Sequence, residues 1–198
     1  MKVIFLDIDG VMNSHVFYEN RFHSFKWKMS SFFYKIYSKI KFALNGFKHK
    51  SLAEFKIRDK FYTYNHQLKR LKNETCPQKW EWLSEWCNKN NIKICISSVW
   101  KHHFGTKDYR STPEKWEDAL CKLGFKPNTF IGITGDRRTL RGQEIKEFLD
   151  ENPQISDYAI LDDDSDMLED QFYKFYHCDG WFGLSPNHLY RIKRQFDG

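Results

Sequence analysis

"MKVIFLDIDGVMNS", residues 1–14, decides the fold. Lys2–Leu6 is a short apolar run with β-branched residues, which predicts a buried strand. Two aspartates then follow, Asp7 and Asp9, one residue apart. A buried strand that ends on two like charges needs a chemical reason for them.

Further runs of the same kind lie downstream. Ile92–Ile96, Thr129–Ile133, Tyr158–Leu161 and Lys174–His177 each predict a strand. Helical signals fall between them. Pro77 opens a stretch in which Trp80, Leu83, Trp86 and Cys87 share a face. Thr112 and Pro113 cap a second helix, which carries Trp116, Ala119, Leu120 and Leu123 and stops at Gly124. Gln143–Asp150 predicts a third helix, and Ser185–Pro186 opens a fourth with Leu189, Ile192 and Phe196. Alternating strands and helices predict an α/β fold, a Rossmann-like doubly wound parallel sheet. Such a sheet binds ligands beyond the carboxyl ends of its strands.

The strand ends carry the chemistry. The first ends on Asp7 and Asp9, the second on Ser97 and Ser98, the fourth on Asp162, Asp163 and Asp164, with Asp166 close behind. Clustered carboxylates repel and raise each other's pKa unless a cation neutralises them. Mg²⁺ suits them, because it takes carboxylate oxygens and keeps waters that a phosphate can displace.

Charge divides the chain. Residues 14–73 hold 14 Lys and Arg against 3 Asp and Glu, a charge of +11, and 15 of the 35 aromatic residues. With +6 for the whole chain, the rest carries −5. Residues 1–13 and 74–198 are therefore expected to form a slightly acidic body, and 14–73 a basic, aromatic, mainly helical insertion. Within it, Met29–Leu44 predicts a helix with Lys35, Lys39 and Lys41 off the apolar stripe. Three readings of this stretch stay open: a cap with a solvated basic rim, a nucleic-acid surface in which Lys35 and Lys39 contact phosphates, and a membrane-surface helix. No apolar run reaches the length of a membrane span, and the first apolar run meets Asp7 too early for a signal peptide. Five scattered cysteines without a CxxC pair predict reduced thiols and a cytoplasmic setting. His102 and His103 follow the second strand end, either as substrate contacts or as solvated loop residues.

Taken together, "FLDIDGV", "ICISS" and "LDDDSD" resemble the first, second and fourth motifs of the haloacid dehalogenase (HAD) superfamily of phosphohydrolases. The fuller pattern, "FLDIDGVMN", "ISSVWK", "RGQEIKEFL", "YAILDDDSDM" and "DGWFGL", is similar to the HAD domains of multi-enzyme RNA-repair proteins. It covers Met1–Asn13 and roughly 76–184, and leaves out 14–75. Lys101 stands where that branch carries Arg, which keeps the charge and loses the bidentate fork.

The resemblance implies an α-helical cap inserted after the first strand. It also implies a Mg²⁺-dependent phosphatase acting through an aspartyl-phosphate, with Asp7 as nucleophile and Asp9 as general acid and base. Ser97 is expected to bind a phosphate oxygen, and Arg141 to offset phosphoryl charge, with Arg137 and Arg138 as weaker candidates. Ser98 and Lys101 are expected at the substrate. The expected metal ligands are Asp7, Asp9 through its carbonyl, Asp162, and either Asp163 or Asp166. The expected substrate is a nucleotide or a nucleic-acid phosphate end. A small-metabolite phosphatase with a sealing cap, and a nucleic-acid-binding module with an inactive core, are the alternatives. The paired Asp7 and Asp9 weigh against the last, since a pure binder needs neither.

Overall fold

The structure is a computed structural model and describes residues 1–22, 64–104, 113–135 and 140–198. Five strands, β1 (Lys2–Leu6), β2 (Lys93–Ile96), β3 (Phe130–Ile133), β4 (Asp157–Asp162) and β5 (Phe175–His177), form one parallel sheet in the order β3-β2-β1-β4-β5. The order reverses beside β1, so the topological switch point lies between β1 and β4. All five predicted strands form, within a residue or so at each end.

The helices are α1 (His15–Phe22), α2 (Tyr64–Glu74), α3 (Pro77–Asn90), α4 (Pro113–Cys121), α5 (Arg141–Glu151) and α6 (Pro186–Asp197). Side-chain alternation along the strands divides the core in two. Ile4, Leu6, Ile94, Ile96, Ala159 and Leu161 face one layer with Leu71 of α2, Trp80 and Leu83 of α3, Trp116 of α4 and Ile192 of α6. Val3, Phe5, Cys95 and Ile160 face the other way, onto Ile145, Phe148 and Leu149 of α5. Burial on both faces explains why the strands are continuous apolar runs.

α3 begins at Pro77 and ends at Asn91, whose left-handed backbone (φ 53°) returns its N–H to the Cys87 carbonyl. α5 begins at Arg141, two residues earlier than its apolar pattern suggests, because Asp166 caps it from the β4 loop. The end of the stretch expected to be insertion packs on the core, with Leu71 of α2 fully buried there. The helix expected over Met29–Leu44, with Lys35, Lys39 and Lys41, lies outside the described residues, as do Arg137 and Arg138. All five cysteines are free, and Cys87, Cys95 and Cys178 are buried. Among the described residues no helix is long and apolar enough to cross a membrane.

Candidate active site

The sheet ladder runs one residue past β1, β2, β3 and β5, level with the last residue of β4. Asp7 N donates to Leu161 O (2.9 Å), Ser97 N to Leu6 O (2.9 Å), Thr134 N to Ile96 O (3.0 Å) and Cys178 N to Asp162 O (2.8 Å). Asp7, Ser97, Thr134 and Asp162 are thereby held in a row at the carboxyl edge. All four are nearly inaccessible to solvent.

Beyond Asp7 the chain turns sharply. Ile8, Val11 and Met12 drop into the core, while Asp9 stays exposed. Met12 N and Asn13 N both donate to Ile8 O (2.9 and 3.1 Å), and Asn13 Oδ1 accepts from Gly10 N (2.9 Å). Gly10 takes the left-handed backbone (φ 63°), and a Cβ there would stand 2.0 Å from Asp163 Oδ2. A Cβ on Gly180 would stand 3.2 Å from the same oxygen. The Asp163 carboxylate thus occupies a slot between two glycines.

Asp7, Asp162 and Asp163 form one group, each offering an oxygen within 4.8 Å of the others. Burial, then the Asp162 charge, pushes the Asp7 carboxyl up to about 8, against a hydrogen bond from Ser98 and the charge of Arg141. Burial pushes Asp162 up to about 7, with Arg141 opposing it. Asp163 is raised as well, by burial and then by Asp164. Arg141 is the cation of the group: its Nη2 lies 3.5 Å from Asp7 Oδ1 and its Nε 3.3 Å from Asp162 Oδ2. Asp162 Oδ2 is nevertheless buried without a hydrogen bond among the described residues. Three crowded carboxylates with a single arginine between them, and an Asp162 oxygen that is ion-paired but accepts no hydrogen bond, fit a hard divalent cation held by Asp7, Asp162 and Asp163.

Asp166 does not join this group. Its Oδ2 accepts from Arg141 N (3.0 Å) and its carbonyl from Gly142 N (3.1 Å), so it caps α5 and fixes Arg141. Asp9 is not one of the three mutually close carboxylates, though its charge acts on both Asp7 and Asp163. Its Oδ1 accepts from Asn13 Nδ2 (2.7 Å) and Trp100 Nε1 (2.9 Å), and its carbonyl from Val11 N (2.7 Å), leaving that carbonyl one lone pair.

Ser98 and Lys101 are both buried and bonded within the protein, Ser98 with Asp7 among its partners. Ser98 Oγ accepts from Trp100 N (3.3 Å) and Ile8 N (3.4 Å), which ties the second strand end to the Asp7 turn. Lys101 is buried, 2.7 Å from Glu144 Oε2, and also donates to Gly135 O. The substrate contact expected of Lys101 is therefore joined by a structural pairing, with α5, three residues from Arg141. Thr134 Oγ1 joins the same network, 3.2 Å from Glu144 Oε2 and 3.4 Å from Ser97 Oγ. His103 is not a solvated loop residue: it stacks on Trp100 (ring centroids 4.7 Å) and bonds Gln67 O through Nε2 (2.7 Å). Behind the turn Lys79 is buried, its Nζ without a hydrogen-bond partner among the described residues, and burial lowers its pKa.

Asn13, Trp100, Thr134 and Glu144 are site residues that the sequence reasoning did not single out. Asn13 and Thr134 lay in view, the first ending the quoted turn and the second directly after a predicted strand.

Comparison with curated proteins and with solved structures found no match. A family model described as "HAD domain in Swiss Army Knife RNA repair proteins" matches residues 3–189. That span takes in 14–75, which the motif resemblance left out. With its switch-point carboxylates and a match over nearly its whole length, the chain belongs to the family of HAD domains found in Swiss Army Knife RNA repair proteins.

Proposed function

We propose that the protein is a Mg²⁺-dependent phosphatase that removes a phosphate monoester from a nucleotide or a nucleic-acid end through an aspartyl-phosphate. The observation that carries this reading is the meeting of Asp7, Asp162, Asp163 and Arg141 at the switch point, with Asp9 fixed beside them. Asp7 attacks phosphorus with one carboxylate oxygen, and the bond to the leaving oxygen breaks. Asp9, aimed by Asn13 and Trp100, gives that oxygen its proton. Asp9 then takes a proton from the water that attacks phosphorus, which frees Asp7 and releases phosphate. Arg141 offsets charge on the phosphoryl oxygens, and Ser97 holds one of them. Mg²⁺ bound by Asp7, Asp162 and Asp163 would supply charge neutralisation for the carboxylates and the phosphoryl group.

The preference for a nucleic-acid end is supported by the family's description and by the +11 charge of residues 14–73. Lys35 and Lys39 are proposed as phosphate contacts of that stretch. A phosphate-release screen with Mg²⁺ tests the reading, setting mononucleotides, 3′- and 5′-phosphorylated oligonucleotides and sugar phosphates against one another. Turnover should favour a nucleotide or oligonucleotide. Best turnover on sugar phosphates would move the assignment to a small-metabolite phosphatase, and no release from any of them would end it.

A further inference from the structure

Apolar side chains are exposed around the mouth of the crevice. Trp181 is 55 % exposed and Phe182 66 %, in the loop after β5, and Val99 is 68 % exposed directly after Ser98. Among the described residues Trp80, Trp116, Phe5 and Phe104 are fully buried, whereas Phe172 and Tyr173, just before β5, and Tyr190 of α6 are exposed as well. Two adjacent exposed aromatics are costly to leave in water and mark a contact surface.

The loop that carries them is held from three sides. Asp179 closes it, its Oδ1 accepting from Trp181 N (2.8 Å) and its carbonyl from Phe182 N (3.0 Å). The start of α1 is pinned to it, His15 N donating to Gly180 O and Val16 N to Trp181 O (both 3.1 Å). Leu184 N donates to Val11 O (2.9 Å), which joins the loop to the Asp7 turn. Gly183 makes that junction with φ 67°, where a Cβ would stand 2.4 Å from Val11 O. The Trp181 ring is backed by His15, with centroids 4.9 Å apart and planes inclined by 37°. The rings are thus mounted rigidly, and a preorganised surface loses little entropy on binding.

Position identifies the occupant. Gly180, next to Trp181, is the residue that walls the Asp163 slot. The backbone that carries Trp181 therefore also walls the carboxylate slot, and this adjacency is the ground for assigning the occupant. Arg141 and a bound cation address only the phosphate, so a substrate gains selectivity from an uncharged anchor beside it. A nucleobase is flat, has apolar faces and lies a sugar's length from its phosphate. We propose that Trp181, extended by Phe182, is a stacking platform for the nucleobase that bears the scissile phosphate. This deepens the phosphatase reading and rests on it: the enzyme selects nucleotide phosphates by the base, without reading base edges.

The test uses short fluorescein-labelled RNAs with a terminal phosphate, 3′ or 5′, each made with a normal terminal nucleotide and with an abasic one. Affinity is read by fluorescence anisotropy on the Asp7→Asn protein with Mg²⁺, and kcat/KM on the protein with Asp7 intact. For at least one end, the base should improve both by about 5- to 100-fold, the range of base–aromatic stacking. Trp181→Ala should collapse that ratio towards one, and Trp181→Phe should keep most of it. Circular dichroism confirms that both variants fold. Equal binding of base-bearing and abasic probes, or an unchanged ratio in Trp181→Ala, overturns the platform. Equal loss in Trp181→Ala and Trp181→Phe also overturns it, because a ring would then not matter. Phosphate released equally from both probes keeps the phosphatase and removes the platform. Base-dependent binding with no release keeps the platform and removes the phosphatase.

Discussion

Lys101→Met should destabilise the protein by about 3 kcal/mol. The Lys101–Glu144 pair is 2.7 Å long, and the two side chains are 4 % and 8 % exposed. Removing one partner of such a pair typically costs about 3–5 kcal/mol, because a charge stays buried without compensation. Thr134 still donates to Glu144 at 3.2 Å in the variant, which favours the low end of that range. In a chain of 198 residues this corresponds to a fall in Tm of roughly 6–12 °C. Urea unfolding followed by tryptophan fluorescence measures it, with Glu144→Leu and the double variant completing a cycle. Lys101→Met/Glu144→Leu should recover most of the loss, since an apolar pair can replace a buried ionic one at little cost. Phosphate release should fall in Lys101→Met even where it stays folded, because Glu144 lies one helical turn from Arg141. A loss below about 1 kcal/mol, or a double variant no better than the single, would refute the buried-pair argument.

Asp7→Asn should lower phosphate release by at least about a thousandfold, roughly 4 kcal/mol, with the fold intact; near-normal turnover in a sample checked for deamidation would sink the mechanism. Asp9→Asn should harm alkyl phosphates far more than an activated aryl phosphate, whose leaving group needs no proton, and equal losses on both would remove Asp9 as acid. The folded-state pKa values of Asp7 and Asp162 lie above the unfolded value of 3.8, so stability is retained below about pH 4 and lost as pH rises through about 7 to 8. Thermal unfolding in EDTA should therefore show Tm falling between about pH 5 and pH 8. Mg²⁺ at about a hundred times its Kd should return about 2.7 kcal/mol at pH 8, roughly 5–11 °C, and far less at pH 5; a Mg²⁺ effect independent of pH would contradict this. Gly10→Ala combines a left-handed backbone, about 1 kcal/mol, with a clash that a swing of Asp163 relieves, so Mg²⁺ affinity should fall more than Tm does; calorimetric titration beside a melt decides it.

The strands and their acidic ends were legible because both are local. A strand buried on two faces is a run of apolar residues whatever surrounds it, and Asp7 and Asp162 follow such runs directly. The difference between Asp163 and Asp166 was not local: both spacings suit a metal ligand, and only the packed structure brings Asp163 to Asp7 and Asp162 while Asp166 caps α5. Lys101 was expected at the substrate from its place in the motif, yet its partner Glu144 lies 43 residues on and meets it only when α5 packs on the sheet. Trp100 was not singled out, because nothing local in the sequence shows that a largely buried indole sends its N–H to Asp9. The register of residues 64–74 against the core was hidden because the basic, aromatic composition on either side of Leu71 does not change where the packing begins.

The extra ladder bonds beyond β1, β2, β3 and β5 make the sheet a ruler. Asp7 and Asp162 belong to neighbouring strands, and Ser97 and Thr134 continue the row on the other side. Their separations are therefore multiples of the inter-strand distance, about 4.8 Å, which is the scale of a phosphate and a cation side by side. Such spacing does not depend on which apolar residues fill the layers beneath, so the interior is free to drift while the site keeps its dimensions. It depends on parity. Deleting a single residue from β1 or β4 would keep a plausible strand but turn its terminal aspartate to the opposite face, a loss that no repacking of the core restores.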